Sequence, residues 1–359
     1  MCGMKISIAM ATYNGERFLR EQLESIAGQT LQPYELVVTD DGSSDRTTEI
    51  VAEFAQGVSF PVRLYRNDER LGYPQNFLKA ASLCKGDLIA FSDQDDVWLS
   101  EKLARCAESF KDESVMLTIH TGKAVDEDLR PLGWIFPKIG RDITTYPLTI
   151  TAGMWRYCPG FAMVFRSCLP LVFNGHRPWN SVEQTERMTL EVSPLKSSNH
   201  DTWVFFLANV FGKTAYIRQP LVLYRRHSAT ESNPAPVHIV ERVRISLRTR
   251  AEDYVERTQV AGYWAFYLEQ AAAFLPEEQR LRASKGAHHY RYVEEIFHER
   301  SKIYRADEHI WSRFRSLLRL LAQGEYGRQS SIGLGFRTFV KDAAVGVLRI
   351  DRFVRKGVV

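Results

Sequence analysis

The chain has 359 residues, 45% of them hydrophobic and 25% charged, with a formal net charge of +4 at pH 7. That balance belongs to a folded globular protein and excludes a disordered or collagen-like chain, and no apolar run approaches the ~18 residues that span a bilayer. Its five cysteines, Cys2, Cys84, Cys106, Cys158 and Cys168, form no CxxC pair, which argues against a disulfide framework or zinc knuckle and for a reducing cytoplasm.

The first strand is expected over residues 5–12, with Ile6, Ile8 and Met10 in step, so near the start that no signal peptide precedes it. Asn14-Gly15 then opens a helix carrying Phe18, Leu19, Leu23 and Ile26 and ending near Gly28. A second strand, 34–39, runs into Asp40-Asp41-Gly42-Ser43-Ser44-Asp45, whose side chains suit the cap of a helix with Ile50, Val51 and Phe54. A third strand at 62–65, a helix at 74–84 and a fourth strand at 88–92 follow. The alternation predicts an α/β fold, a mostly parallel sheet with helices on both faces. Further on, strands are expected at 115–121 and 160–165, a helix at 203–211 ending at Gly212, and short strands at 214–217 and 221–224. The polar stretch 179–198 has the character of a mobile substrate loop, and from about residue 237 the chain is helical and rich in Arg.

Acidic residues recur at the carboxyl ends of these strands, where ligands of open α/β sheets bind. Thr12-Tyr13-Asn14, Asp40-Asp41 and Asp93-Gln94-Asp95-Asp96 are therefore expected to converge on one pocket. Crowded carboxylates take up protons or a hard cation, and Asp93-x-Asp95 places two of them within reach of one ion. A lone Asp-x-Asp is usually a pair of solvated loop acids; here a buried strand leads in and Val97-Trp98 follows. Asp41 reads as a turn residue or as an acceptor for a ribose hydroxyl or base N–H, and Tyr13 as packing or as a base-stacking ring. Asp201, after His200, reads as a helix cap or as a general base. Tyr224-Arg225-Arg226-His227 reads as a solvated basic turn, or as a metal ligand (His227) beside a phosphate-neutralising arginine.

Residues 6–15 (Ile-Ser-Ile-Ala-Met-Ala-Thr-Tyr-Asn-Gly), Gln29-Thr30, the Glu-Leu-Val-Val-Thr-Asp-Asp-Gly-Ser-Ser-Asp run at 35–45, residues 67–76 and Ser92-Asp-Gln-Asp-Asp-Val-Trp98 together resemble the inverting family 2 glycosyltransferases. With His200-Asp201-x-Trp203 and Tyr224-Arg-Arg-His227, the pattern is similar to the branch that includes bacterial rhamnosyltransferases of surface polysaccharide assembly. The resemblance spans roughly residues 5–227. It implies a glycosyltransferase-A fold with a nucleotide-sugar-binding part at 1–118, an acceptor and catalytic part at 119–230, and a helical, basic, amphipathic region at 231–359. It implies that Thr12, Tyr13, Asn14, Asp40, Asp41, Arg70, Asn76, Asp93, Gln94 and Arg226 serve the donor. Asp95, Asp93 and His227 would hold Mg²⁺ or Mn²⁺, Asp201 would be the catalytic base, and Trp98, His200 and Trp203 would meet the acceptor. The Gln-x-x-Arg-Trp signature of processive synthases is absent, so the expected reaction is non-processive transfer from dTDP-rhamnose or a UDP-sugar to a saccharide on a lipid carrier. Two rivals are a nucleotidyltransferase, opposed by the lack of a Gly-rich phosphate loop near the first strand, and a non-enzymatic sugar-nucleotide or polysaccharide-binding module, opposed by the intact Asp95 and Asp201.

From residue 309 to the end, ten Lys or Arg stand against three Asp or Glu. Ile310, Phe314, Leu317, Leu318 and Leu321 recur at helical spacing, as do Phe336, Phe339, Val340, Ala343 and Val347. Basic amphipathic helices lie in the interface of anionic membranes, so the expected location is the cytoplasm, with peripheral contact to the inner face of the membrane. The same stripes would equally pack on the core or on a second subunit. Nucleic acid is not an expected partner, because the aromatic and basic residues form a stripe rather than a stacking groove.

Overall fold

The computed structural model describes residues 3–148, 158–169, 199–228, 239–327 and 334–350; the expected substrate loop at 179–198 lies outside the described residues. The chain divides into two compact units, the first holding the described residues up to Pro147 and those from 158 to 228, the second Leu148 and those from 239 onward.

In the first unit the apolar run of β1 (Ile6–Thr12) is buried at all seven positions, as a strand covered on both faces must be. β2 (Glu35–Asp40) lies parallel beside it with Thr12 opposite Asp40, and β3 (Val62–Arg66) continues the sheet outward. β4 (Leu88–Ser92) is parallel to β1 on its other side. The crossovers are α1 (Leu19–Ala27), α2 (Thr47–Ala55) and α3 (Tyr73–Ser82), long enough connections to return each strand in the same direction. The carboxyl ends of β1, β2 and β4 therefore open on one edge, as the alternation predicted.

After β4 the sheet becomes mixed. The remaining strands are β5 (Val97–Trp98), β6 (Val115–Val125), β7 (Pro131–Phe136), β8 (Ile143–Thr145), β9 (Met163–Arg166) and β10 (Lys213–Arg225), with α4 (Lys102–Ser109) and α5 (His200–Phe211) between them. The spatial order is β3-β2-β1-β4-β9-β6-β10-β5, with β7 on β6 and β8 on β10. β9 runs antiparallel between β4 and β6, whereas β10 is parallel to β6.

Several expectations are refined. The two short strands at 214–217 and 221–224 are one strand whose register slips on both sides of Pro220, a residue with no N–H to give the ladder. The strand expected at 160–165 begins with a 3₁₀ turn over Gly160–Ala162 and becomes extended only at Met163. α5 starts at His200 rather than residue 203, with Asn199 at the cap position.

The second unit is helical: α6 (Ile239–Leu247), α7 (Glu252–Ala272), α8 (Glu277–Tyr304), α9 (Ile310–Ala322) and α10 (Gly335–Lys341), followed by a π-helical turn over Asp342–Val347. α7 and α8 form its main pairing, with Trp264 edge-on to Tyr290 at 5.2 Å. Asp342 is fully buried and accepts from Arg300 Nε (3.0 Å) and Nη2 (2.9 Å) and from the hydroxyls of Tyr304 (2.7 Å) and Tyr326 (2.8 Å). The stripe foreseen on α9 is split. Leu317 and Leu320 point inward with Arg313 and Ser316, which bond to Gly346 O and Glu299, while Ile310, Phe314, Leu318 and Leu321 face outward.

Candidate active site

Three strand ends are tied together by buried side chains rather than left as loose loops. Thr12 Oγ1 donates to Asp40 Oδ2 (3.0 Å), and Asp40 Oδ1 accepts from the Ser43 N–H (2.8 Å), so Asp40 holds the turn after β2. Asp41 uses both oxygens inside the protein. Oδ1 accepts from Asn67 Nδ2 (2.9 Å) and the Leu71 N–H (2.7 Å), and Oδ2 from the Gly72 N–H (2.8 Å). Gly72 sits at φ 79, a left-handed conformation that glycine adopts without penalty. Asn76 Nδ2 bridges Thr39 O and Thr12 O, and its Oδ1 accepts from Asn67. Asn14, also left-handed at φ 46, accepts the Ser44 N–H at 2.9 Å. Tyr13 and Arg70 present their side chains outward together: the Tyr13 ring is exposed and the Arg70 guanidinium lies 4.0 Å from its centroid.

The loop after β4 is locked to the end of β1 by an amide. Gln94 Oε1 accepts the Tyr13 N–H (2.9 Å) while its Nε2 donates to Tyr13 O (3.0 Å). Gly15 makes room for this pair, since a Cβ there would collide with Gln94 Oε1.

The other half of the site comes from an antiparallel ladder. β5 pairs with β10 so that Val97 faces Leu223 and Trp98 faces Val222. Continuing that register brings Arg225 onto the acidic loop. Its backbone N–H donates to Asp96 Oδ1 (2.9 Å), its Nε to Asp95 O (2.8 Å), and its remaining nitrogens to Glu127 O and the Glu21 carboxylate. Two residues on, just past the end of β10, His227 Nε2 meets Asp95 Oδ2 at 2.8 Å, with the imidazole against Phe18 at 4.9 Å. A carboxylate oxygen and an imidazole nitrogen at one point form a donor set that fits Mn²⁺. Among the described residues no three His, Cys, Asp or Glu side chains converge to hold an ion by themselves. This pair matches an ion whose remaining positions come from ligand phosphates and water.

Burial, with Asp95 and Asp201 nearby, pushes Asp93 up to about 7. Asp96 is buried beneath the loop and held well above the usual carboxylate range by burial and by Asp95 and Asp93. Facing these acids is Lys102, buried in α4, whose Nζ donates to Phe161 O (2.8 Å) and lies 3.4 Å from the Trp98 ring centroid. Burial lowers it to about 7. A lysine at the start of a helix gives no sequence sign that it will be buried, so sequence reading passed it over.

Asp201 is the second residue of α5 and is buried. Its Oδ1 accepts the Thr202 N–H at 2.6 Å. Burial pushes its carboxyl up to about 6, against the stabilising N–H groups of Thr202 and Gly160. It is thus not the cap residue, which is Asn199, but a first-turn carboxylate within electrostatic reach of Asp93.

The residues expected at the acceptor sit inside the protein. His200 is sandwiched by aromatic rings, stacked on Phe77 at 4.1 Å and edge-on to Phe91 at 4.8 Å, and burial lowers it to about 3. Trp98 and Trp203 are buried and pack against Lys102 and Phe206 respectively. Their side chains form the wall behind the site rather than its surface. Arg226 Nη1 donates to the Tyr224 hydroxyl (2.7 Å). Tyr224 in turn is edge-on to Trp134 of β7 at 6.5 Å, a half-exposed ring that sequence reading did not single out.

Residues 7–170 match the family model described as "Glycosyl transferase family 2". A Shigella flexneri protein named "dTDP-rhamnosyl transferase RfbG" is 37% identical over 98 residues, 26% of this chain and 34% of its own length. An Escherichia coli protein named "UDP-Glc:alpha-D-GlcNAc-diphosphoundecaprenol beta-1,3-glucosyltransferase WfgD" is 36% identical over 98 residues, 27% of this chain and 38% of its own length. The chain therefore aligns with less than two fifths of either relative. The crystal structure of Staphylococcus aureus TarS 1-349 in complex with UDP-GlcNAc superposes with a TM-score of 0.52 at 15% identity, over 99% of this chain and 92% of that one, which is agreement in fold. Residues 7–170, which hold the acidic loop and the strand-end cluster, are thus similar to the family 2 glycosyltransferases.

Proposed function

We propose that the protein transfers one sugar at a time from a nucleoside diphosphate sugar to a saccharide hydroxyl, with inversion at the anomeric carbon. The observation that carries this reading is the buried Asp201, ionising near pH 6, within electrostatic reach of a loop whose next carboxylate, Asp95, meets His227. A base of that acidity is ionised at neutral pH yet close enough to it to accept a proton in the transition state.

Each residue then has a task. Asp201 takes the proton from the acceptor hydroxyl as its oxygen attacks the anomeric carbon. Asp95 and His227 would hold Mn²⁺ or Mg²⁺, which when bound supplies positive charge to the departing diphosphate. Asp93, needing compensation at neutral pH, faces the same region from the other side of Gln94. The exposed Tyr13 ring, backed by Arg70, offers the base a stacking surface. Thr12, Asn14, Asp40, Asp41 and Asn76 act one step back, fixing the loops that carry Tyr13 and Arg70. Arg226, bonded to the Tyr224 hydroxyl, would serve the donor, and the Trp134–Tyr224 edge would receive the acceptor sugar.

The relatives support a donor of the dTDP-rhamnose or UDP-sugar type and an acceptor on a lipid diphosphate carrier, because those words stand in their names. Assembly of a surface polysaccharide at the cytoplasmic face of a membrane is the setting that joins the two. The test is a thermal-shift panel of nucleoside diphosphate sugars with and without Mn²⁺, followed by turnover of the stabilising donor, since a ligand bound only by the native state raises its apparent stability. A metal-dependent shift and release of nucleoside diphosphate are expected. Binding without release would leave only the sugar-nucleotide-binding module, and pyrophosphate release from a nucleoside triphosphate would favour a nucleotidyltransferase.

A further inference from the structure

We propose that α9 is a membrane-docking face for an anionic bilayer. The inference deepens the reading above, which places the acceptor on a lipid, but its observations belong to the helical unit alone. On α9, Ile310 (43% exposed), Trp311 (71%), Phe314 (41%), Leu318 (46%) and Leu321 (46%) all face solvent. The buried side of the same helix carries Arg313 and Ser316 beside Leu317 and Leu320. A helix that only had to cover a core would turn its large apolar residues inward and its arginines outward. Here part of that order is reversed.

Charge selects the occupant. The exposed positions of α9 hold Arg315 and Arg319 and no carboxylate, Arg319 keeping only a 3.3 Å contact with Glu299 while 61% exposed. α10 repeats the composition, exposing Phe336 and Val340 beside Arg337. A two-fold contact between two copies of α9 sets each patch against its own image, so arginine would meet arginine, with Glu299 offsetting Arg319 but not Arg315. Anionic headgroups above an apolar layer satisfy both halves of the face. Trp311, the most exposed of the five, has the ring that favours the headgroup level. A 13-residue helix, about 20 Å long, lies in that plane and does not cross it; no helix among the described residues is long and apolar enough to span.

The experiment is co-sedimentation of the full chain with vesicles of phosphatidylcholine alone and of phosphatidylcholine mixed with phosphatidylglycerol. Recovery with the anionic vesicles only, falling as salt is raised, is expected. Trp311→Ser/Leu318→Ser and Arg315→Gln/Arg319→Gln should each lower the partition coefficient by on the order of tenfold or more. All four side chains are exposed, so an unchanged melting temperature and an unchanged donor-induced shift verify that each variant is folded. Equal recovery with both vesicle types, or variants that pellet like the wild type, would overturn docking. A dimer that the Trp311→Ser/Leu318→Ser variant dissolves, without vesicle recovery, would assign the face to a second copy and overturn it as well. Donor binding without sedimentation overturns docking alone, whereas sedimentation without donor binding supports docking and removes glycosyl transfer.

Discussion

Asp95 Oδ2 and His227 Nε2 stand 2.8 Å apart across 132 residues of chain. The contact is a product of register: β5 pairs with β10 at Val97–Leu223 and Trp98–Val222, and the next steps of that ladder carry Arg225 and then His227 onto the acidic loop. Replacing either partner should therefore weaken the same ion. Asp95→Asn and His227→Ala are each expected to reduce Mn²⁺ affinity at least about 10- to 100-fold, the scale already lost when residues behind a metal ligand are changed. Titration of Mn²⁺ into donor-saturated protein, followed by thermal shift, measures it. If His227→Ala responds to Mn²⁺ as the wild type does, the imidazole is no ligand.

Asp201→Asn keeps the shape and hydrogen-bonding reach of the side chain while removing the base. Turnover should fall by about 10²- to 10⁴-fold with donor affinity unchanged. The pH dependence has a defined sign. Burial pushes the Asp201 carboxyl up to about 6, and only the ionised form accepts a proton, so kcat/KM should climb as pH rises through about 6 and level off above it. A profile flat from pH 5 to 8 in the wild type would separate Asp201 from the rate.

How far the sequence revealed this arrangement differs from one residue to the next. The repeated strand and helix periods announced β1 to β4, and the acids marked the edge on which those strands end. Asp40 and Asp41 looked like ligand-facing acids because sequence shows a carboxylate's position but not what its oxygens are committed to; in the fold Ser43, Asn67, Leu71 and Gly72 occupy them. Trp98 and Trp203 read as acceptor residues for a related reason, their burial being set by α4 and α5 packing that no local period encodes. β5 is two residues long, too short for any periodicity, yet its register brings His227 to Asp95. Lys102 was hidden because a lysine among helix formers signals a solvated face, and only the tertiary fold places it on Trp98 and Phe161 O.

Gly15→Ala tests the link between the two halves of the nucleotide side. The added Cβ meets Gln94 Oε1 and Cδ, so the amide must release one or both bonds to Tyr13. Overpacking of this kind costs about 1–3 kcal/mol, and it falls on the loop that joins Tyr13 to Asp93 and Asp95. Donor KM should rise several-fold, and Gln94→Ala in the same background should add little further loss, because both changes break one interaction. Fully additive losses would show that Gly15 acts elsewhere.

His200 gives a prediction about stability. Stacked on Phe77 and buried, it is held to about 3, below its ordinary value of 6.5. Between those two pH values the unfolded chain takes up a proton that the native state refuses, so stability is full above about 6.5 and falls as pH drops toward 3. At pH 5 the loss from this one group is about 2 kcal/mol. Asp93 and Asp201, raised rather than lowered, act in the opposite direction below about 7 and 6 respectively, so the comparison must be between proteins at each pH. His200→Phe keeps the ring stack and cannot ionise; its stability relative to the wild type should improve as pH falls from 6.5 to 5. Parallel curves for the two proteins would show that the imidazole reaches water or a partner in solution.

In the helical unit the sensitive point is Asp342. Four donors converge on its carboxylate, two from Arg300 and one each from Tyr304 and Tyr326, and both members of the ion pair are buried. Asp342→Ala strands the Arg300 guanidinium and two hydroxyls out of water, a loss expected to cost about 3–5 kcal/mol. The Arg300→Met/Asp342→Leu pair removes both charges together and should recover much of that, since buried ion pairs are often replaced by apolar groups at little net cost. Hydrogen exchange read on the α8 amides around Arg300 distinguishes the outcomes: protection should fall sharply in Asp342→Ala and return in the double variant. Equal loss in both would mean that the tyrosine hydroxyls, rather than the unpaired charge, dominate the energy of this cluster.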